Sequence, residues 1–227
     1  MGPRRASHAV VVYDPDKRGG WVTVRQNAVS YDFDATRVMF SSGNTSEKKR
    51  MGDLGRKGEV VVDLYAGIGY FTVPLLVNAQ VEHVHACEWN EPSLEALQRN
   101  LRRNGVDDRC TIYPGDNQLA RDAVRGRADR VLLGLLPSSE LAWGLALAAL
   151  KPGGGWLHVH ANVHEREMAE WRQRLLTRLG ELAKEEVRRD DWEFECPHVE
   201  KVKKYAPRVD HVVADVRVFV RGGGGVE

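Results

Sequence analysis

Apolar and polar residues follow two different periods along the chain, and these periods predict its helices and strands. From Glu59 onward, short apolar runs typical of buried strands alternate with segments that have helical spacing. The predicted strands are Glu59–Asp63, Val84–Trp89, Cys110–Pro114, Arg130–Leu136 and Trp156–His160, and the helices between them are about Tyr70–Asn78, Pro92–Arg103 and Ser139–Leu150. Strands that alternate with helices predict a parallel sheet with helices on both faces.

The last part of the chain has a long helical pattern followed by two strands. One core-facing stripe recurs every three or four residues, at Met168, Trp171, Leu175, Leu179 and Leu182. The two strands, near His198–Val202 and His211–Phe219, are joined without a helix. We therefore expect a terminal hairpin, one antiparallel edge strand, and a sheet of seven strands that are mostly parallel.

The first 55 residues have a different character. Gly20–Arg25 and Val29–Phe33 are short β-type runs, and Arg37–Ser41 is expected to be a third strand. The predicted organisation is a small β-rich N-terminal extension over residues 1–55, an α/β domain over residues 56–220, and a disordered Gly-rich tail over residues 221–227.

Composition limits the class of protein. The chain has 227 residues, 42% of them apolar and 29% charged, with a formal net charge of +1. The net charge therefore gives no evidence for a nucleic-acid partner, and only local clusters of basic residues can indicate one. Three cysteines without a CxxC pair disfavour a disulfide scaffold or a thiolate zinc site. No apolar run is long enough to cross a bilayer, and the basic start lacks the apolar stretch of a secretory signal. We expect a cytoplasmic protein without a membrane partner.

The spacing Asp63-x-x-x-Gly67-x-Gly69 lies directly after a predicted strand and before a predicted helix. Glycines there let the backbone approach a ligand closely, and a helix N-terminus offers N–H donors. Thr72 stands where a dinucleotide-binding motif has its third glycine. The motif therefore favours a ligand without a pyrophosphate.

Acidic and amide side chains end the next two predicted strands. Glu88 can accept hydrogen bonds from ribose hydroxyls, and Asp116-Asn117 can bind an adenine ring through a carboxylate and a backbone N–H. Helix capping is the alternative for Asp116 and Asn117. Together with the glycine motif, these residues resemble the class I S-adenosylmethionine-dependent methyltransferase fold, a Rossmann-like fold.

Four segments narrow the resemblance. They are Met39–Met51, Asp63–Phe71, Leu133–Ser139 and Val202–His211. Together they resemble the tRNA wybutosine-synthesizing protein 2 family over about Trp21–Phe219. That family transfers the 3-amino-3-carboxypropyl group of S-adenosylmethionine to a tricyclic guanosine derivative beside the anticodon of phenylalanine tRNA, which leaves methylthioadenosine.

The resemblance implies S-adenosylmethionine as co-substrate and phenylalanine tRNA as partner. Together with the motifs, it predicts cofactor contacts at Ser41, Lys48, Asp63, Tyr65, Gly67, Gly69, Glu88, Asp116, Asn117, Leu135 and Pro137. The related tRNA guanine-N1 methyltransferases have an asparagine where this chain has Gly134, which favours the aminocarboxypropyl branch. Methyl transfer to a tRNA guanine and an inactive RNA-binding homologue are the alternatives. The oligomeric state stays open.

Several charged residues have two interpretations. Glu47 is a candidate general base, or the third helical residue of a capping box that begins at Asn44. Lys48 is a ligand for the methionine carboxylate or a solvated charge. The basic residues predicted to bind RNA, which could equally form a solvated face, are Arg50, Lys203, Lys204 and Arg208.

Histidines alternate along one predicted strand at His158 and His160, and His164 follows. Three histidines can bind zinc. Two core-facing histidines in the middle of a sheet more often form a hydrogen-bonded polar pocket, so no metal is predicted.

Overall fold

A computed structural model describes residues 7, 9–15, 17 and 19–222. Near its N-terminus, β1 (Trp21–Gln26) and β2 (Val29–Asp34) form a two-stranded antiparallel sheet, and α1 (Thr45–Leu54) follows. This sheet confirms the small β-rich extension. The proposed boundaries at residues 55 and 220 stay a prediction, and residues 223–227 of the predicted tail lie outside the described residues.

The remaining strands form one seven-stranded sheet. They are β3 (Val60–Asp63), β4 (His83–Glu88), β5 (Cys110–Pro114), β6 (Arg130–Leu133), β7 (Gly154–His164), β8 (Trp192–Ala206) and β9 (Val209–Val220). Their order is β5-β4-β3-β6-β7-β9-β8. The pairs β4–β5, β3–β6 and β6–β7 are parallel, whereas β9 is antiparallel to both β7 and β8. The prediction of a mostly parallel α/β sheet is confirmed.

The helices connect these strands. They are α2 (Thr72–Pro74), which continues as a π turn (Leu75–Ala79), α3 (Glu91–Arg103), α4 (Arg121–Val124), α5 (Trp143–Ala149), and α6 (Met168–Leu182), which continues as a π turn (Ala183–Val187). None of the helices in the described part of the chain is long and apolar enough to span a membrane.

Two details of the predicted strands are wrong. The strand that runs opposite to the others was expected at the edge of the sheet. It is β9, which lies inside the sheet between β7 and β8, and the edge strand is β8. Arg37–Ser41 is not a strand, because Asp34 builds a turn there. Its carboxylate accepts the Thr36 N–H at 2.9 Å, and its carbonyl accepts the Val38 N–H at 2.8 Å. An aspartate that binds the backbone two residues ahead favours a turn over a strand.

Contacts divide the described chain into two compact units. The first comprises Ala66–Asp116 and the described residues up to Gly58. In this unit, asparagine side chains at α3 hydrogen bond to the backbone of the β1–β2 hairpin. The Asn100 Oδ1 accepts the Asp32 N–H at 2.6 Å, and the Asn104 amide both accepts from and donates to the backbone of Ser30, at 3.0 and 2.8 Å. These side chains pair with β2 as a neighbouring strand would, which orders the chain leading into α1.

The second unit comprises Glu59–Tyr65 and the described residues from Asn117 onward. Its sheet carries a buried polar row. Arg130 donates to both oxygens of Glu59 at 2.9 and 3.0 Å, and the His158 Nδ1 lies 2.6 Å from the Asp215 carboxylate. The His160 Nδ1 lies 3.0 Å from the His211 Nε2. The strand histidines are hydrogen bonded, as the polar-pocket interpretation expected. Among the described residues, no group of three or more His, Cys, Asp or Glu side chains could hold a metal ion.

Candidate cofactor site

The glycine loop of the first unit uses backbone that only glycine adopts easily. Gly67 has a φ of +58° and Gly69 a φ of +92°. A Cβ at Gly69 would lie 2.7 Å from the Val73 side chain, and one at Gly67 would lie 3.2 Å from the Tyr70 ring. A side chain at either position would therefore strain the backbone and meet its neighbour.

Glu88 fastens this loop to the end of β4. One carboxylate oxygen accepts the Gly67 N–H at 2.7 Å, and the other accepts the N–H groups of Trp89 and Asn90 at 3.0 and 2.8 Å. Glu88 therefore holds the loop and the start of the segment after β4 through both of its carboxylate oxygens.

The end of β5 joins the same arrangement. The Gly115 N–H donates to the Glu88 carbonyl at 3.0 Å, and Asp116 follows with an exposed side chain. The first unit thus brings together three predicted contacts, Gly67, Glu88 and Asp116.

Lys48 is buried, with 1% of its surface exposed, so its interpretation as a solvated charge is wrong. Its Nζ donates to the Gln26 Oε1 at 2.9 Å and to the Ser41 carbonyl at 3.0 Å. It also lies 4.4, 4.8 and 5.2 Å from the ring centroids of Phe40, Tyr70 and Tyr31, respectively. Such cation–π contacts stabilise an ammonium group that has been removed from water.

Glu47 is buried as well and forms a bidentate pair. The Arg50 Nε and Nη2 donate to its two oxygens at 2.7 and 2.8 Å. Asn44 makes no side-chain capping hydrogen bond, so its half of the expected capping box is missing. The Arg50 side chain, only 18% exposed, is directed at Glu47. Neither the role of Glu47 as a base nor that of Arg50 in RNA binding follows from this geometry, and both stay predictions.

In the second unit, two of the predicted cofactor contacts, Asp63 and Asn117, hydrogen bond to the backbone of the segment that follows β3. The buried Asp63 carboxylate accepts the Tyr65 N–H at 3.3 Å, and the Asn117 Nδ2 donates to the Leu64 carbonyl at 3.3 Å. Beyond β6, Leu135 is half-buried and Pro137 is exposed.

Comparison with known proteins identifies the family. Residues 22–188 match the TRM5/TYW2 methyltransferase domain. The chain belongs to this family. It is 50% identical to tRNA wybutosine-synthesizing protein 2/3/4 of Arabidopsis thaliana over 95% of this chain and 21% of that protein. It is 39% identical to the tRNA wybutosine-synthesizing protein 2 homolog of Homo sapiens, over 87% of this chain and 54% of that protein. The chain thus spans between about a fifth and about half of the curated relatives it matches.

Solved structures agree with this membership of the TRM5/TYW2 family. The M. jannaschii TYW2 in complex with AdoMet is 30% identical, with a TM-score of 0.82 over 94% of this chain and 91% of that chain. The P. horikoshii TYW2 in complex with MeSAdo is 31% identical, with a TM-score of 0.78 over 91% and 73%. The Pyrococcus abyssi Trm5b is 26% identical, with a TM-score of 0.75 over 89% and 57%.

Sequence reasoning missed Tyr70 as a structural part of this TRM5/TYW2 site. Its hydroxyl accepts the Ser41 N–H at 3.2 Å and donates to the Met39 carbonyl at 2.9 Å. The Tyr31 hydroxyl donates to the Tyr70 carbonyl at 3.3 Å, and burial, followed by the electrostatic effect of the neighbouring Tyr70 phenol, raises the pKa of Tyr31. Tyr31 therefore stays a neutral donor. The aromatic pair Tyr70-Phe71 after the glycine motif was the available signal.

Three of the residues predicted to bind RNA, Lys203, Lys204 and Arg208, lie near the β8–β9 turn, with Lys201 beside them and Tyr205 exposed among them. Two acidic residues neutralise part of this basic group. Asp210 lies 2.8 Å from Lys204 and 3.4 Å from Lys201, and Glu165 lies 3.8 and 3.9 Å from Lys204 and Arg208, respectively. The exposed Lys203 makes no ion pair with the described residues.

Proposed function

We propose that this chain binds S-adenosylmethionine and transfers its 3-amino-3-carboxypropyl group to a tricyclic guanosine derivative beside the anticodon of phenylalanine tRNA. The observation that carries the proposal is the likeness to the M. jannaschii TYW2 in complex with AdoMet, which covers 94% of this chain and 91% of that one. Relatives named for wybutosine synthesis at 39–50% identity support it further. The three cysteines are free thiols, which supports a reducing cytoplasmic location.

The first unit has groups that suit this cofactor. Carboxylates at Glu88 and Asp116 can accept from ribose hydroxyls and an adenine amino group, respectively. The loop at Gly67 and Gly69 presents bare backbone, with no Cβ to exclude the sulfonium and sugar of the cofactor. S-adenosylmethionine supplies an electrophilic carbon next to its positively charged sulfur.

The methionine end of the cofactor decides which group is transferred. The carbon that lies in line with the nucleophile, about 3–3.5 Å away, is the one that reacts. We propose that the Ser41 hydroxyl and the nearby Lys48 charge hold the methionine carboxylate, so that its γ-carbon faces the acceptor. Gly134 supports this branch, because the methyltransferase relatives have an asparagine there. Methylthioadenosine is then the leaving group, consistent with MeSAdo in the P. horikoshii TYW2.

Alkylation of the acceptor ring requires the loss of one proton. Glu47 remains our candidate for the base, but both of its oxygens bind Arg50. For Glu47 to act, we expect Arg50 to release it when tRNA binds. Glu47→Gln should then lower kcat while leaving the affinity for S-adenosylmethionine unchanged.

The test is to incubate the protein with S-adenosylmethionine and tRNA that carries the tricyclic base, then to separate the nucleoside products by chromatography. We expect methylthioadenosine and a tRNA heavier by one aminocarboxypropyl group. S-adenosylhomocysteine would instead establish the methyltransferase alternative. Cofactor binding without either product would favour the inactive RNA-binding homologue.

A further inference from the structure

Asn162 of β7 carries a buried amide that makes no hydrogen bond to the described part of the chain. Its Oδ1 and Nδ2 are both shielded from solvent, and neither has a hydrogen-bond partner among the described residues. Buried polar side-chain atoms are nearly always hydrogen bonded, since an unpaired donor or acceptor costs free energy. An amide whose donor and acceptor both lack a partner among the described residues can hydrogen bond to a ligand or to an ordered water.

The surroundings of Asn162 are polar on its own face of the sheet. His160 precedes it by two residues and so shares that face, and His211 is its direct partner in the β7–β9 register. The two histidines bind one another at 3.0 Å and are 2% and 1% exposed, which makes a fixed polar wall. The opposite face of this strand pair is apolar, where Ala161 packs with Met168 and Trp171.

The backbone of Asn162 ties this polar face to the turn that follows β6. Its N–H donates to the Pro137 carbonyl at 3.0 Å. The residue therefore sits beside the segment Gly134–Pro137, which follows the carboxyl end of a parallel strand. Ligands of open α/β sheets bind outside those strand ends.

We propose that the Asn162 amide binds the acceptor base of the tRNA, and that it is a specificity-determining residue for that base. The inference rests on the proposed function. A guanine-derived base presents a carbonyl or ring-nitrogen acceptor next to an N–H donor, and an amide offers the matching donor and acceptor in one plane. Asparagine reads base edges in this bidentate way, and enzymes that modify a base hydrogen bond to the edge of the extruded nucleotide.

The test compares the wild-type chain with Asn162→Leu, which keeps the size of the side chain and removes both hydrogen-bonding groups. We expect kcat/KM for tRNA carrying the tricyclic base to fall about 5- to 150-fold at saturating S-adenosylmethionine, the range of one bidentate base contact. The thermal midpoint should stay constant or rise, because an unpaired buried amide has been removed. Filter binding of the same tRNA should weaken in parallel. This measurement keeps the comparison decisive even if the wild-type chain transfers no group.

Asn100→Leu is the matched control for stability. Asn100 is also buried, but its amide donates to Ile68 and accepts from Asp32, so this variant should lower the thermal midpoint. Unchanged kcat/KM and unchanged tRNA binding in Asn162→Leu would overturn the proposal. The proposal would also be overturned if Asn162→Leu bound S-adenosylmethionine more weakly but methylthioadenosine equally well. The amide would then bind the aminocarboxypropyl end of the cofactor and not the base. Failure of the proposed function looks different, because the wild-type chain itself would then yield no methylthioadenosine.

Discussion

Replacing Glu88 by glutamine should lower both the free energy of unfolding and the affinity for S-adenosylmethionine, and the two effects can be measured separately. The carboxylate accepts three backbone N–H groups, from Gly67 at 2.7 Å, Asn90 at 2.8 Å and Trp89 at 3.0 Å. Glutamine keeps one oxygen and turns an NH₂ toward the donors of the other. It must therefore lose either the Gly67 bond or the Trp89–Asn90 pair. Hydrogen bonds to a charged group contribute about 1.5–3 kcal/mol each, so the loss of the single Gly67 bond should lower the free energy of unfolding of Glu88→Gln by about 1.5–3 kcal/mol.

The same substitution should reduce affinity for S-adenosylmethionine by about ten- to a hundredfold, because a charge-assisted acceptor for the ribose is lost together with the fixed loop. Urea denaturation measures the first effect and calorimetric titration the second. Glu91→Gln is the control, since it removes one exposed carboxylate that makes no hydrogen bond to the described residues. Equal stability of Glu88→Gln and Glu91→Gln would show that the Glu88 carboxylate does not hold the loop.

Three further changes test other parts of the structure. Tyr70→Phe removes two hydrogen bonds and leaves two backbone groups without that partner, so urea denaturation should show a loss of about 1–3 kcal/mol, and no loss would exclude the hydroxyl as a clamp. Lys203→Gln should reduce the slope of log affinity for tRNA against log salt by about one, as filter binding across salt would measure, whereas Lys184→Gln should leave the slope unaltered. The hydrogen bond from Lys204 lowers the pKa of Asp210, so the pair stabilises the fold above the unfolded-state pKa of about 4 and this contribution is lost as the pH falls through the folded-state pKa. The stability gap between wild type and Asp210→Asn should therefore shrink between pH 7 and pH 3, and an equal gap at both would contradict the pairing.

Elements whose pattern is local were predicted closely. Strand β5 has the predicted bounds Cys110–Pro114, and α6 spans the whole predicted stripe from Met168 to Leu182. Strand β7 was predicted only over Trp156–His160 but extends over Gly154–His164. Its added length comes from pairing with β9, a partner some fifty residues away, and no local pattern encodes that pairing.

The residues of the candidate site also differ in how far the sequence predicts their environment. Gly67 and Glu88 could be found from the sequence, because each has a fixed position after a strand. The burial of Lys48 could not, because the basic run Lys48-Lys49-Arg50 is typical of a solvated helix face. The groups that surround this ammonium come from separate parts of the chain: Gln26 and Tyr31 from the β1–β2 hairpin, Phe40 and the Ser41 carbonyl from the segment before α1, and Tyr70 from the glycine loop.

Tyr70 explains how the cofactor loop and the α1 segment act together in the first unit. Its ring is what a side chain at Gly67 would meet, and its hydroxyl holds the backbone of Ser41, whose carbonyl accepts from Lys48. A ligand that stiffens the loop at Gly67 therefore also restricts the segment that presents Ser41. Because any coupling between two sites is reciprocal, a group bound at Ser41 should in turn favour the loop conformation that Glu88 holds. The ribose end and the methionine end of one cofactor would then bind with less ordering cost than two separate ligands, which is what selecting one carbon of a sulfonium requires.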